Sequence, residues 1–241
     1  VQMRWGHINR HHSLLTRIQS IFLDGHLVIE HTARSRSGRF FNFNGTAGIW
    51  RRQAIDDAGG WEHDTLTEDL DLSFRSQLAG WRFRYLPDVE VPAELPVEIN
   101  AFKSQQHRWT KGAVQTAKKI LPRVWKAPLP LKVKVEATFH LTANSSHILI
   151  LAMAILMLPV VSIRELIPWH QRFFIVDLPL FSMATMAVSG FYLASQRALY
   201  EDWSTSIKYL PVLMAIGISL CVNNARAVAE GLIGYQTGFH R

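Results

Sequence analysis

Residues 137–163 contain no Asp, Glu, Lys or Arg, and within them 147–163 is almost wholly apolar. A helix crossing a bilayer needs roughly 20 such residues, and in lipid its backbone polar groups must be satisfied within the helix itself. Residues 173–194 repeat the pattern with Asp177 as their one charge. Two spans are therefore expected, over about 143–163 and 173–195. Residues 209–222 are apolar but shorter, and Asn223, Asn224 and Arg226 follow them. A stretch of that length reads as lying along the interface, which predicts an interfacial helix over about 207–232.

Charge divides the chain in the same place. Residues 1–136 carry 20 basic and 14 acidic side chains, against 6 and 5 in 137–241. With 48% hydrophobic residues the chain is no disordered tail, and Cys221, its one cysteine, excludes an internal disulfide and a cysteine zinc site. Lys118, Lys119, Arg123, Lys126, Lys132 and Lys134 make 117–136 a basic, amphipathic interfacial segment. By the positive-inside tendency it faces the cytoplasm with everything before it, and two crossings return 225–241 to that side.

The part before the membrane interleaves strand and helix patterns. Residues 1–5 alternate like a strand, opening without a leader, so the chain reads as an internal piece of something longer. Residues 13–33 place Leu14, Leu15, Ile18, Ile21, Phe22 and Leu27 at helical spacing, with Gly25 a weak point. Short strands are expected at 39–43 and 47–50. A helix should run from Thr67, whose hydroxyl can cap a free backbone N–H, to Leu78, with Gly80 closing it. A strand through Trp81, Phe83 and Tyr85 follows, punctuated by Pro87, Pro92 and Pro96, and then a helix over 101–119. This order favours an α/β sheet domain.

Three clusters carry chemistry. Thr67-Glu68-Asp69 puts carboxylates at a helix N-terminus, where Asp69 could act as general base towards a hydroxyl; the same residues also read as an ordinary cap. Gln105-Gln106-His107-Arg108-Trp109 combines a planar cation suited to phosphate with an aromatic face suited to a sugar, or else is an amphipathic helix with a core Trp. Asn44-Gly45-Thr46 is a turn whose backbone could approach a ligand. His7, His11 and His12 lack nearby acidic or cysteine partners in sequence and read as surface or core histidines. Asp177 is a candidate because it lies in a span, near one end.

Thr67-Glu68-Asp69, followed by Gln105-x-x-Arg108-Trp109 and then membrane helices, resembles the second half of a membrane-embedded family 2 glycosyltransferase of the cellulose synthase-like, β-glycan synthase group. Val1-Gln2-x-Arg4-Trp5, Phe43-Asn44-Gly45-Thr46-Ala47-Gly48-Ile49-Trp50-Arg51, Gly59-Gly60-Trp61 and Pro92-x-Glu94-Leu95-Pro96 agree with it, so the resemblance covers nearly the whole chain. It implies an α/β fold, the C-terminal half of a GT-A-type nucleotide-sugar transferase domain (1–116), then the segment 117–136 and a membrane region (137–241). That region would hold two transmembrane helices, an interfacial helix and the start of a gating-type loop at 233–241.

The resemblance also implies roles. Asp69 would deprotonate an acceptor hydroxyl, with Glu68 and Thr67 shaping the same helix tip. Gln105 and Arg108 would hold the donor diphosphate. Trp109 would stack on the acceptor, whose approach Asn44, Gly45 and Thr46 would line. Mg2+ or Mn2+ is implied for the full-length enzyme, but the aspartate-rich motif that holds it precedes the matching region, so no metal ligand falls in this chain and the segment alone should be inactive. The partners would be a nucleotide sugar (UDP-glucose, GDP-mannose or UDP-N-acetylglucosamine), a growing glycan or lipid-linked acceptor, and membrane lipids. The setting would be a multi-pass membrane protein, its catalytic part cytoplasmic, in a bacterial inner membrane. A non-processive relative acting on a lipid is the alternative. A transporter or channel fragment built around Asp177 is a reading from another class, as is a membrane-anchored nucleic-acid binder. Against the last, the basic residues lie along the pre-membrane segment, where anionic lipid accounts for them, so no nucleic-acid partner is expected.

Overall fold

A computed structural model describes residues 1–165 and 170–235; Gly238-Phe239-His240-Arg241, the expected opening of a gating loop, lies outside them. Strand β1 (Gln2–His7) alternates buried and half-buried residues and pairs in parallel with β2 (Tyr85–Ala93). The register runs from Gln2 opposite Tyr85 to His7 opposite Ala93, with an irregularity between Met3 and Arg4. The expected strand at Trp81 begins only at Tyr85, where β1 first offers a ladder partner. Pro87 and Pro92 lie inside β2 rather than ending it. β1 is β2's one partner strand among the described residues, so the opposite edge needs no amide donor, and the register irregularity accommodates Pro87.

The helix expected over 13–33 is three pieces. Helix α1 (Leu14–Asp24) starts with a reciprocal Ser13–Thr16 capping box. Gly25–His31 is π-helical, and α2 (Thr32–Arg36) follows. A Cβ on Gly25 would stand 2.6 Å from Phe191 Cε1, so the weak point is where a later helix crosses closely.

Residues 39–43 and 47–50 are not strands. The first runs along α4 (Glu68–Leu78) and is bonded by its side chains: the Phe41 N–H donates to Gln77 Oε1, Gln77 Nε2 donates to the Phe41 carbonyl, and the Phe43 N–H donates to Ser73 Oγ. Helix side chains thus take the place of a neighbouring strand. The second touches β1 through one isolated bridge, Gln2 to Gly48. Helix α3 (Arg52–Asp57) lies between them and α4.

Helix α5 (Ile99–Lys126) is longer than expected and carries both the Gln105–Trp109 motif and the first half of the basic segment. The expected boundary at residue 116 therefore falls inside one helix. Leu70 and Phe74 of α4, Ala113, Ala117, Ile120 and Val124 of α5, and Ala137 and Leu141 of α6 (Leu131–Thr142) form one buried cluster. Through a 3-10 turn at Ala143–Ser145, α6 leads into α7 (Ser146–Glu165), and α8 (His170–Leu199) follows. A second cluster joins Ile18 and Ile21 of α1 to Leu213 of α9 (Leu210–Ser219).

Three helical stretches among the described residues are long and apolar enough to cross a membrane: Leu131–Ile163, Ile175–Leu199 and Trp203–Ile233. The expectation was two. The third stretch is segmented into a 3-10 helix (Trp203–Tyr209), α9 and α10 (Cys221–Ile233), and part of it is buried against the rest of the chain. Helix α10 lies on α5. Glu230 Oε2 is 3.1 Å from Lys111 Nζ, and Lys118 Nζ donates to the Leu232 carbonyl at 2.7 Å. A Cβ on Gly231 would sit 2.9 Å from Val114 Cβ.

Candidate active site

Where α4 begins beside α5, a cleft of about 560 Å³ opens at the end of the two strands. Thr67, Glu68, Asp69, Gln105, Arg108, Trp109, Asn44, Gly45 and Thr46 all line it. Three segments far apart in sequence thus meet in one cavity, and all nine residues of the three motifs line it.

The meeting has local causes. Gly112 is one turn along α5 from Arg108, and a Cβ there would fall 2.5 Å from Thr67 Cγ2 and 2.8 Å from Thr67 N. Glycine therefore lets α5 lie against the start of α4. Thr67 occupies the cap position but makes no side-chain cap, contrary to expectation; its hydroxyl instead meets that of Thr116 at 3.2 Å. The Leu66 N–H donates to Gln115 Oε1 at 2.9 Å, tying the approach to α4 onto α5 as well.

The turn at Asn44–Thr46 is held by a residue to which the sequence assigned no role. Gln2 is 1% exposed. Its Nε2 reaches the carbonyls of Thr46 and Ala47, both at 3.1 Å, and its Oε1 accepts the Asn44 N–H at 3.0 Å. Gly45 has φ +72°, and a Cβ on it would stand 3.2 Å from Asp69 Oδ2. That positive φ and close approach explain glycine at this position.

Asp69 is the electrostatic centre. Burial pushes its carboxyl up to about 6; the Leu70 N–H, donating to Oδ1 at 2.8 Å, pulls the other way, while Glu68 adds to the rise and Arg108 opposes it. A carboxyl in that range is a carboxylate at neutral pH and basic enough to take a proton. Trp5 also lines the cleft, its ring centroid 6.4 Å from that of Trp109 with the planes at 36°. Leu23, Val91, Glu94 and Leu95 complete much of the wall. The alternation of β1 carried the signal for Trp5, since it shares the less buried face with Met3 and His7.

Other candidates lie elsewhere. His7 is buried against Asp24, and His11 and His12 are exposed. Asp177 is near the start of the apolar stretch Ile175–Leu199. Among the described residues, Glu62, Asp64 and Asp71 bring carboxylate oxygens close enough to share a cation. Lys119 Nζ already stands 2.5, 2.7 and 3.1 Å from them, and Arg75 Nε is 2.7 Å from Asp71. The hydrogen bond from Lys119 also holds Glu62 below the usual carboxylate range. Lys119 Nζ thus stands where a shared metal ion would have to sit, and Arg75 takes a further oxygen, so the cluster does not fit Mg2+ or Mn2+.

Comparison with known proteins gives a consistent result. The profile described as glycosyl transferase family group 2 matches residues 1–220. The chain is 41% identical over 163 residues to glucomannan 4-beta-mannosyltransferase 1 of Oryza sativa subsp. japonica, covering 66% of this chain and 31% of that protein. It is 43% identical over 142 residues to probable glucomannan 4-beta-mannosyltransferase 6 of the same plant (59% and 24%). It is 47% identical over 124 residues to glucomannan 4-beta-mannosyltransferase 2 of Arabidopsis thaliana (52% and 23%). The chain thus spans about a quarter to a third of the length of these relatives. No solved structure gives a significant match.

Proposed function

Because the chain belongs to glycosyl transferase family group 2, we propose that the protein carrying it extends a β-linked glycan by inverting transfer from a nucleotide sugar, and that this cleft is the acceptor side of its active site. The observation that carries the reading is the convergence of Asp69, Gln105, Arg108, Trp109 and the Asn44–Thr46 turn on one cavity.

The chemistry follows from what each group can do. The Asp69 carboxylate takes the proton of the acceptor hydroxyl. The freed oxygen forms a bond to the anomeric carbon as the bond to the diphosphate oxygen breaks, inverting an α-linked donor to a β-linked product. Glu68 and Thr67 shape the helix tip that aims Asp69. Gln105 and Arg108 hold the diphosphate, and the guanidinium offsets the charge that grows on the leaving nucleotide. Trp109 stacks on the apolar face of the acceptor sugar, and Asn44, Gly45 and Thr46 bound its approach.

The names of the relatives favour mannosyl transfer to a 4-linked chain, so GDP-mannose is the first donor to test, ahead of UDP-glucose and UDP-N-acetylglucosamine. The membrane helices favour export of the product as it grows over release of a singly glycosylated lipid. The catalytic part faces the cytoplasm, in keeping with the basic run from Lys118 to Lys134. The buried face of α10 on α5 favours an interfacial course for Trp203–Ile233, leaving two spans. The plant origin of these relatives lends no support to a bacterial inner membrane.

Replacing Trp109 with Ala tests the acceptor role. In the full-length protein it should lower chain extension by on the order of tenfold or more, while hydrolysis of the donor by water changes little. Equal loss of both rates would remove Trp109 from the acceptor site.

A further inference from the structure

A second polar cluster lies behind the cleft and has no part in the chemistry above. Asp24, the last residue of α1, is 0% exposed. Its Oδ1 is 3.1 Å from His7 Nε2 on β1. Its Oδ2 accepts from Gln196 Nε2 in the last turn of α8 at 2.8 Å and from the hydroxyl of Tyr200, the residue just past that helix, at 3.3 Å. Gln196 Oε1 in turn accepts from Arg10 Nη2 at 2.8 Å and meets Ser206 Oγ at 3.2 Å. The Arg10 guanidinium lies 3.2 Å over the Tyr200 ring.

The arrangement is directional. One end of the Gln196 amide faces a carboxylate and the other a guanidinium, so a flipped amide would set oxygen against oxygen and nitrogen against guanidinium. Such a cluster is a poor source of stability, since an apolar replacement of similar volume is often neutral or better. What it fixes is relative placement. His7 is two residues from Trp5 on the same strand face, and Asp24 follows Leu23; Trp5 and Leu23 both line the cleft.

The geometry points to Asp24 as a positioning residue. The His7–Asp24–Gln196–Tyr200 cluster is the joint by which the end of membrane helix α8 sets the Trp5–Leu23 wall of the cleft opposite Trp109, and so sets the fit of the acceptor glycan. This deepens the glycosyl-transfer reading and rests on it. Donor contacts, carried by Gln105 and Arg108 on α5, lie outside the joint.

The test uses the full-length protein in membranes with Asp24→Ala, Asp24→Asn and Gln196→Leu. The acceptor is a soluble β-4-linked manno-oligosaccharide. Asp24→Ala and Gln196→Leu should raise the acceptor KM on the order of tenfold or more, leaving the donor KM and donor hydrolysis within about twofold. Asp24→Asn should restore most of the loss, because its oxygen can face Gln196 and Tyr200 while its amide donates to the other tautomer of His7, whose Nδ1 has no partner. Donor and acceptor constants moving together, no change in either, or an Asn variant as damaged as the Ala variant would each overturn the inference. Amide hydrogen exchange of residues 2–7 gives a readout independent of turnover: faster in Asp24→Ala, as in the wild type in Asp24→Asn. A wild-type protein that transfers no sugar would defeat the glycosyl-transfer reading. Unchanged exchange in Asp24→Ala would defeat the joint alone.

Discussion

At the scale of single residues, the proposed transfer turns on the state of one carboxyl. With Asp69 pushed up to about 6, the protonated form prevails below that pH and has no basic lone pair for the acceptor hydroxyl. Above it the carboxylate is present and the rate no longer depends on this group. A pH profile of kcat/KM should therefore rise about tenfold per pH unit on the acid side and bend to a plateau near pH 6. A profile flat down to pH 4.5 would mean that Asp69 is not the base. Gly45 gives a second test. Its φ of +72° and the 3.2 Å from a Cβ to Asp69 Oδ2 make Gly45→Ala costly by about 1 kcal/mol in backbone strain and crowd the base besides. The expected result is a lower kcat with an unchanged donor KM.

At the scale of elements, the contact between α4 and α5 decides whether the site forms. Gly112→Ala gains about 1 kcal/mol in helix propensity. Against this, the new methyl meets a backbone nitrogen of Thr67 at 2.8 Å, and that atom cannot swing aside. Overpacking of this kind costs about 1–3 kcal/mol, so the variant should melt lower and turn over more slowly, by thermal shift and by rate. A raised melting temperature, the propensity gain showing alone, would mean that the contact carries no strain.

Sequence patterns revealed some of these elements and concealed others. Helix α4 was legible from its acidic first turn and Gly80, and α5 from its motif, because those signals are local. Residues 39–43 read as a strand but are bonded by Gln77 and Ser73 of α4 instead, since alternation does not name the partner. Thr67 read as a cap because the text of a cap and of an interhelix contact is the same; Gly112 held the distinguishing signal. That the nine residues of the three motifs would meet at one cleft was legible through the order of motifs in the resemblance, while their roles stand as proposals. Gln2, Trp5 and Asp24 took on roles only through neighbours as distant in sequence as Ala47, Trp109 and Gln196.

For the whole molecule, the part that holds the cleft packs against the apolar helices after it in two buried clusters. Helix α5 is buried against α4 on one side and α10 on another, and α1 shares apolar contacts with α9. Such continuity favours a third apolar stretch that lies along the membrane. Cysteines introduced at Glu201 and Ile233, in a protein whose Cys221 is replaced, should then react with an impermeant maleimide from the same face; labelling from opposite faces would make Trp203–Ile233 a third span. If this cleft transfers sugar with Asp69 as base, removing that base must show in turnover. The most direct measurement is incorporation of radiolabelled sugar by membranes holding the full-length protein, offered GDP-mannose, UDP-glucose or UDP-N-acetylglucosamine, beside Asp69→Asn. Incorporation is expected from one donor, GDP-mannose first, with a loss of roughly 10²–10⁴-fold in the variant and donor binding intact. Incorporation that survives in Asp69→Asn would contradict Asp69 as base.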